Sequence, residues 1–267
     1  MRPMNIAHRG GAQLMPENTL AAFADALARG CDGVELDVQL SRDGAVVVHH
    51  DFRLMKDVAR ESGAWLTEPG PRIKDLMWKD LRQFDVGAAR PGSDYALSHS
   101  LLKPMHAPVP SLDDVAALAR SAARRFVLLV ELKCDASEGS ADPQALADVA
   151  YDVIRRAEIL DRAIFVGFDW RALLPLVKRG AVCWFTTDRL HGDARPVIDM
   201  IAAAGAKGWF PNFVDSTPDN IAYARERDLK IGAWTVNRRD DMERLKGLDA
   251  ICTDRPDLLQ ALEQSSG

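Results

Sequence analysis

Short runs of apolar and β-branched residues alternate, almost from end to end of the chain, with stretches whose apolar positions recur at helical spacing. This is the pattern of parallel strands joined by crossover helices. Strands are predicted at 5–8, 33–40, 45–50, 126–133, 163–168, 181–185, 208–210, 230–236 and 250–253. Helices are predicted at 18–29, 112–124, 143–157, 170–178, 194–203, 218–227, 240–245 and 256–262. In the first helix Leu20, Phe23 and Leu27 form the apolar face, Asn18 is the expected N-cap, and Gly30 stands just past the end.

Nine strands are one more than a closed (β/α)8 barrel needs, and the surplus can be located. Only a few residues separate Gln39 from Val46, whereas a parallel crossover takes about a dozen or more. The two strands must therefore form a hairpin, and Asp43-Gly44 is a strong two-residue turn signal. With that turn Arg42 pairs with Ala45, and the register places His50 across from Asp37. Region 52–109 breaks the alternation. Rich in Pro and Gly, including Pro69, Pro71, Pro91, Pro104 and Pro108, it reads as an insertion with one short helix near 74–83. Its apolar residues Trp65, Leu66, Met77, Trp78, Leu101, Leu102 and Met105 are expected to form a satellite core, with a substrate lid or a homodimer contact as the alternative uses.

Composition narrows the class. At 267 residues, 47% hydrophobic and 27% charged, residues 1–267 fit one barrel domain. The net charge of -5 argues against a broad surface for nucleic acid, so any phosphate would be held locally. With neither an apolar leader nor a membrane-length apolar run, the expectation is a cytoplasmic protein without a membrane span. Cys31, Cys134, Cys183 and Cys252 are widely spaced singles, expected to be reduced structural thiols.

The chemistry-bearing residues fall at strand ends. Glu35 and Asp37 are two apart in a predicted strand and share a face; Glu131 repeats the situation in another strand, with Lys133 beside it. Like charges buried together are tolerated when a cation lies between them or when one is protonated. An all-oxygen set selects a hard ion, Mg²⁺ or Ca²⁺. The plainer alternative is a structural ion cluster with Arg9 and Lys133. His8 ends the first strand and His50 falls beside the carboxylate pair, so the two can serve as acid and base. Arg9 and Lys133 can neutralise a phosphate, while Gly10 and Gly11 allow a tight turn after Arg9. His49 is expected to face away, and His99, His106 and His191 to lie in loops without partners.

His8-Arg9-Gly10, Pro16-Glu17-Asn18-Thr19, Glu35-x-Asp37, Asp43-Gly44 leading to Val48-His49-His50-Asp51, and Glu131-x-Lys133 occur in this order, followed by Trp234-Thr235-Val236-Asn237 and Thr253-Asp254-Arg255-Pro256. The set resembles the glycerophosphodiester phosphodiesterases over nearly the whole chain. The resemblance implies a TIM-type barrel with an insertion after the second barrel strand and its hairpin, acting on small-molecule glycerophosphodiesters to give an alcohol and glycerol 3-phosphate. It makes Glu35, Asp37 and Glu131 metal ligands, His8 and His50 the acid/base pair, Arg9 and Lys133 phosphate contacts, Glu17 a supporting residue and Trp234 an apolar wall for the glycerol. Where many relatives carry Ser-Phe at the end of the fifth strand, this chain has Gly167-Phe168. Rival readings are a lysophospholipase D or phospholipase C-like phosphodiesterase, or a non-catalytic phosphodiester-binding barrel. A metal-dependent amidohydrolase fits less well, since Arg9-Gly10 follows His8 in place of a His-x-His pair.

Overall fold

The computed structural model describes residues 2–67 and 70–265; Pro69 of the insertion lies outside them. Eight parallel strands follow one another around a closed barrel: β1 (Met4–Ala7), β2 (Gly33–Leu40), β3 (Val127–Leu132), β4 (Ala163–Gly167), β5 (Cys183–Thr187), β6 (Gly208–Pro211), β7 (Lys230–Ala233) and β8 (Ala250–Thr253). Closure comes from β1, which pairs with β8 on one side and β2 on the other. The ninth strand, Val46–Val48, runs antiparallel to β2. After each barrel strand comes a helix: α1 (Leu20–Arg29), α2 (Leu112–Ser121), α3 (Pro143–Arg156), α4 (Trp170–Lys178), α5 (Arg195–Ala203), α6 (Pro218–Arg225), α7 (Arg239–Arg244) and α8 (Pro256–Ser265).

Two layers of apolar residues hold this arrangement. Between sheet and helices, Val34, Leu36, Leu128, Val130, Phe165 and Phe185 pack against Phe23, Ala116, Leu146 and Leu173 in the main core. Inside the barrel, Ile6, Val127, Leu129, Val166, Trp184 and Phe210 fill the lower half. Alternation along β3 thus puts Val127 and Leu129 in the interior and leaves Glu131, next on that face, near the carboxyl end. No helix among the described residues is long and apolar enough to cross a membrane.

Two local expectations fail. Asn18 does not cap α1: Thr19 does, its hydroxyl accepting from Ala22 N, while Asn18 sits at φ 55 with its amide turned to Asp37. The hairpin register is also one residue off, because the observed pairs are Val38↔Val48, Gln39↔Val47 and Leu40↔Val46. Arg42, Asp43 and Gly44 form a three-residue loop with Gly44 at φ 79, closed by Ser41 N donating to Ala45 O at 2.9 Å. Ser41 Oγ stabilises the longer loop by donating to Asp43 and accepting from Ala45 N. His49, not His50, therefore lies opposite Asp37, its N–H donating to Asp37 O at 3.0 Å.

The region between the hairpin and α2 has its own apolar cluster, built from Leu54, Ala59, Ile73, Leu81, Phe84, Val86 and Val109 around Val47. Of the residues expected there, Leu66 and Trp78 pack on its margin, whereas Leu101 is 53% exposed. Asp85 organises the polar side: its carboxylate accepts from Gly87 N, Ala107 N and Arg60. His106, expected without a partner, lies 3.0 Å from Asp85 Oδ2. Besides the short helix Trp78–Leu81 there is a second, Asp94–Ser98, with Ser93 as its cap.

Candidate active site

Strand register brings the acids together. Asp37 pairs directly with Glu131 across β2 and β3, and Glu35 lies one inward position deeper on β2. One oxygen from each of Glu35, Asp37 and Glu131 lies within 4.8 Å of the others, and all three residues are buried. Glu35 Oε1 is buried without a hydrogen-bond partner. Burial, with Asp37 and Glu131 beside it, drives the Glu35 carboxyl well above the usual carboxylate range. Burial also acts to raise Asp37, but Arg9, His50 and Lys133 outweigh it and hold that carboxyl below its ordinary value. An orphaned oxygen in a set of three carboxylates fits a hard divalent cation, which takes oxygen ligands and leaves positions for water or phosphate.

The cations come from the loop after β1 and from the end of β3. Arg9 sits at φ 51, and Gly10 at φ 87 folds the chain back so closely that a Cβ there would stand 2.6 Å from Ala22 Cβ. Only glycine permits this approach, which seats Arg9 over the acids. Arg9 N donates to Glu35 at 3.1 Å, Nη1 donates to Glu17 at 3.0 Å, and Nε lies 3.2 Å from Asp37 Oδ2 at an ion-pair distance without hydrogen-bond alignment. Lys133 Nζ donates to Glu131 at 2.9 Å and lies 3.6 Å from Asp37. Burial tends to raise the Glu17 carboxyl, but Arg9 and His50 hold it below its usual range.

His8 is positioned by the seam of the barrel. The register Ala7↔Thr253 places it beside Asp254, which lies 2.6 Å from its Nδ1, while Nε2 is 3.8 Å from Glu35. Asp254 is fixed in turn by Asn237, whose Nδ2 donates to it at 2.6 Å and whose Oδ1 accepts from Asp254 N. His50 reaches the site in spite of the shifted register because the strand ends at Val48 and the last hydrogen bond to β2 is the one from His49 N to Asp37 O. From there the backbone bends, and Gln39 Nε2 gathers the bend by donating to the carbonyls of His49, His50 and Asp51. His50 then lies near enough to Asp37 and Glu17 to lower both, with Nδ1 3.0 Å from Asp51. His49 is buried, and burial lowers its imidazole below the ordinary value.

Trp234 stands just past β7 at the barrel mouth. Its Nε1 donates to Phe210 O at 3.2 Å, and its ring meets Phe168 edge-on at 5.3 Å. A cleft of about 180 Å³ opens beside it between Phe52, Glu131, Lys133 and Phe168. Of the nominated side chains Glu131 and Lys133 line this cleft, while Glu35, Asp37, Arg9, Glu17 and His8 are linked to them and to one another by the contacts above, toward the carboxyl ends of the strands.

Four residues went unassigned by sequence reasoning. Asp254 and Asn237 were part of recognisable motifs, and their position at the ends of the last strands was the available signal. Asn18 holds Asp37 from both sides, Nδ2 donating to Oδ2 at 2.8 Å and Oδ1 accepting from Asp37 N. Tyr95 comes from the short insertion helix and donates its hydroxyl to Glu17 Oε2 at 2.9 Å. Nothing in the pattern around Tyr95 connects it with a residue 78 positions away.

Comparison with known proteins gives the family and the fold. The model of the glycerophosphoryl diester phosphodiesterase family matches residues 8–258. A glycerophosphodiester phosphodiesterase of Caldanaerobacter subterraneus is 28% identical over the full length of both chains. A solved structure from Silicibacter pomeroyi, described provisionally as a glycerophosphoryl diester phosphodiesterase, superposes with a TM-score of 0.90 at 28% identity, covering 98% of this chain and 93% of the other. An Oleispira antarctica phosphodiesterase solved with its product sn-glycerol-3-phosphate has a TM-score of 0.78 at 21% identity, covering 98% and 97%.

Proposed function

Because the chain belongs to the glycerophosphoryl diester phosphodiesterase family, a family of hydrolases, we propose that it cleaves glycerophosphodiesters such as glycerophosphocholine or glycerophosphoethanolamine to an alcohol and sn-glycerol 3-phosphate. The observation that carries this reading is the convergence of three buried carboxylates, within 4.8 Å of one another, on the two phosphate-binding cations Arg9 and Lys133. The product bound by the Oleispira protein is consistent with it.

Glu35, Asp37 and Glu131 would hold Mg²⁺ or Ca²⁺, which when bound supplies Lewis acidity toward the phosphoryl oxygen and an attacking hydroxyl. Arg9 and Lys133 bind the phosphate and balance the charge that builds on its oxygens. Glu17 keeps the Arg9 fork turned toward the acids. With Nδ1 held by Asp254, His8 exchanges its proton through Nε2, and Asp254 stabilises the imidazolium form. His50, with Nδ1 on Asp51, does the same from the other side. One imidazole takes the proton of the attacking oxygen and the other delivers one to the departing alkoxide; the two end with their protonation states exchanged, and proton exchange with water resets them before the next turnover. The apolar Trp234–Phe168 wall shelters the glycerol carbons.

A panel of glycerophosphodiesters assayed with Mg²⁺, with Ca²⁺ and with EDTA tests the reading. Hydrolysis restored by one of the ions and lost in His8→Ala is expected; turnover indifferent to EDTA would remove the metal, and turnover unchanged in both His8→Ala and His50→Ala would remove the assignment of the acid and base.

A further inference from the structure

One face of β2 carries Glu35, Asp37 and then Gln39, two residues apart each time, so the strand that supplies two of the acids ends in an amide. Gln39 is buried, and its Nε2 lies 2.8 Å from His49 O, 3.2 Å from His50 O and 2.9 Å from Asp51 O. Three converging acceptors admit only the NH2 end of the amide at that point. The segment has other anchors at its two ends. His49 N donates to Asp37 O at 3.0 Å, and Phe52 O accepts from Ile73 N of the insertion at 3.0 Å. Between them, no other donor among the described residues reaches the carbonyls of His49, His50 and Asp51. Asp51 meets the His50 ring at Nδ1, but as its neighbour in the chain it moves with His50; it can orient the ring and cannot place it.

We propose that Gln39 is a positioning residue for the acid/base step: by gathering three successive carbonyls it fixes the backbone on both sides of His50 and so sets where that imidazole stands relative to the acids on the same strand. The proposal rests on the phosphodiesterase reading, in which His50 exchanges a proton with the substrate. Gln39 acts only through the backbone of His50.

Gln39→Met keeps the length and bulk of the side chain and removes the donor. Steady-state kinetics on glycerophosphocholine should show kcat lowered by about tenfold to a hundredfold, the cost of an imidazole displaced by about 1 Å, with KM and the binding of sn-glycerol 3-phosphate held within about twofold. Imidazole nitrogen NMR spectra, assigned by the signals lost in His8→Ala and His50→Ala, should show the His50 ring shifted or split and the His8 ring unmoved. A kcat within about twofold of that of the unaltered protein, an unmoved His50 ring, or equal movement of both rings would overturn the proposal, the last because general loosening of the barrel produces it. Should Gln39→Met fail to fold, Gln39→Asn, which keeps the amide but draws it back from the carbonyls by one methylene, is held to the same outcomes. If the unaltered protein hydrolyses none of the glycerophosphodiesters, the hydrolase reading fails and the spectra still decide. A displaced His50 ring with His8 in place retains Gln39 as the residue that positions His50, and an unmoved one removes it.

Discussion

The side chains that touch the acids are themselves held by others, and those supports make the sharpest tests. Asp254→Asn removes the anion that stabilises a protonated His8 while preserving volume. A fall in kcat of roughly a hundredfold or more, with binding of sn-glycerol 3-phosphate little changed, is expected from steady-state kinetics and calorimetry. Tyr95→Phe removes one hydroxyl from Glu17, two steps from the phosphate. Because Glu17 in turn orients Arg9, KM should rise severalfold with kcat nearly constant, and a loss confined to kcat would contradict the relay. These supports also mark where sequence reading ran out. Glu35, Asp37 and Glu131 were legible because acids on the inward face of apolar strands break a simple pattern. Asn18 was not, since an Asn before a helix has an ordinary local use as a cap, and only the fold reveals that Thr19 took that role.

Among the elements, the barrel strands and helices were readable because their periodicity is reinforced along each segment, and the predicted 33–40, 170–178 and 250–253 coincide with β2, α4 and β8. The hairpin register was not, because Asp-Gly serves both two- and three-residue loops and the choice was made by the Ser41 hydroxyl. The insertion was least legible, its cluster being closed by contacts far apart in sequence. Asp85 illustrates the point and predicts a pH effect. Burial acts to raise its carboxyl, but hydrogen bonds from Ala107 N and Gly87 N, with His106 and Arg60 nearby, hold it below the usual value. A folded value below the unfolded one, about 3.9, means a contribution fully present above that pH and lost as pH falls through the folded value. Asp85→Ala should therefore cost about 1–3 kcal/mol at pH 7 in denaturant unfolding, with the gap narrowing below about pH 4.

At the scale of the whole molecule, the site and the stability of the barrel are linked. Three buried acids facing two cations leave excess negative charge in the interior, tolerated in part by the raised Glu35. A cation that binds only the folded form at about a hundred times its Kd adds about 2.7 kcal/mol, or roughly 5–10 °C in Tm for a chain of this size. Differential scanning calorimetry with Mg²⁺ or Ca²⁺ should show that rise, EDTA should reverse it, and Glu131→Gln should abolish most of it. An unchanged Tm in both ions would argue for a purely structural ion cluster.

The seam between β1 and β8 carries a further consequence. His8 and Asp254 are 246 positions apart and meet only when the first and last barrel strands zip together, a junction also stitched by Asn5 to Pro256 and by Arg2 to Glu263. A chain emerging from the ribosome would hold Glu35, Asp37 and Glu131 long before the partner of its first histidine exists. Catalysis would then switch on as a late event of folding, reporting a completed circle and not merely a collapsed one. A circular permutant opened at the exposed turn near Gly63, with the old termini joined, would make that pair a local contact and shift the late event to the arrival of Glu35, Asp37 and His50, which would then be made last.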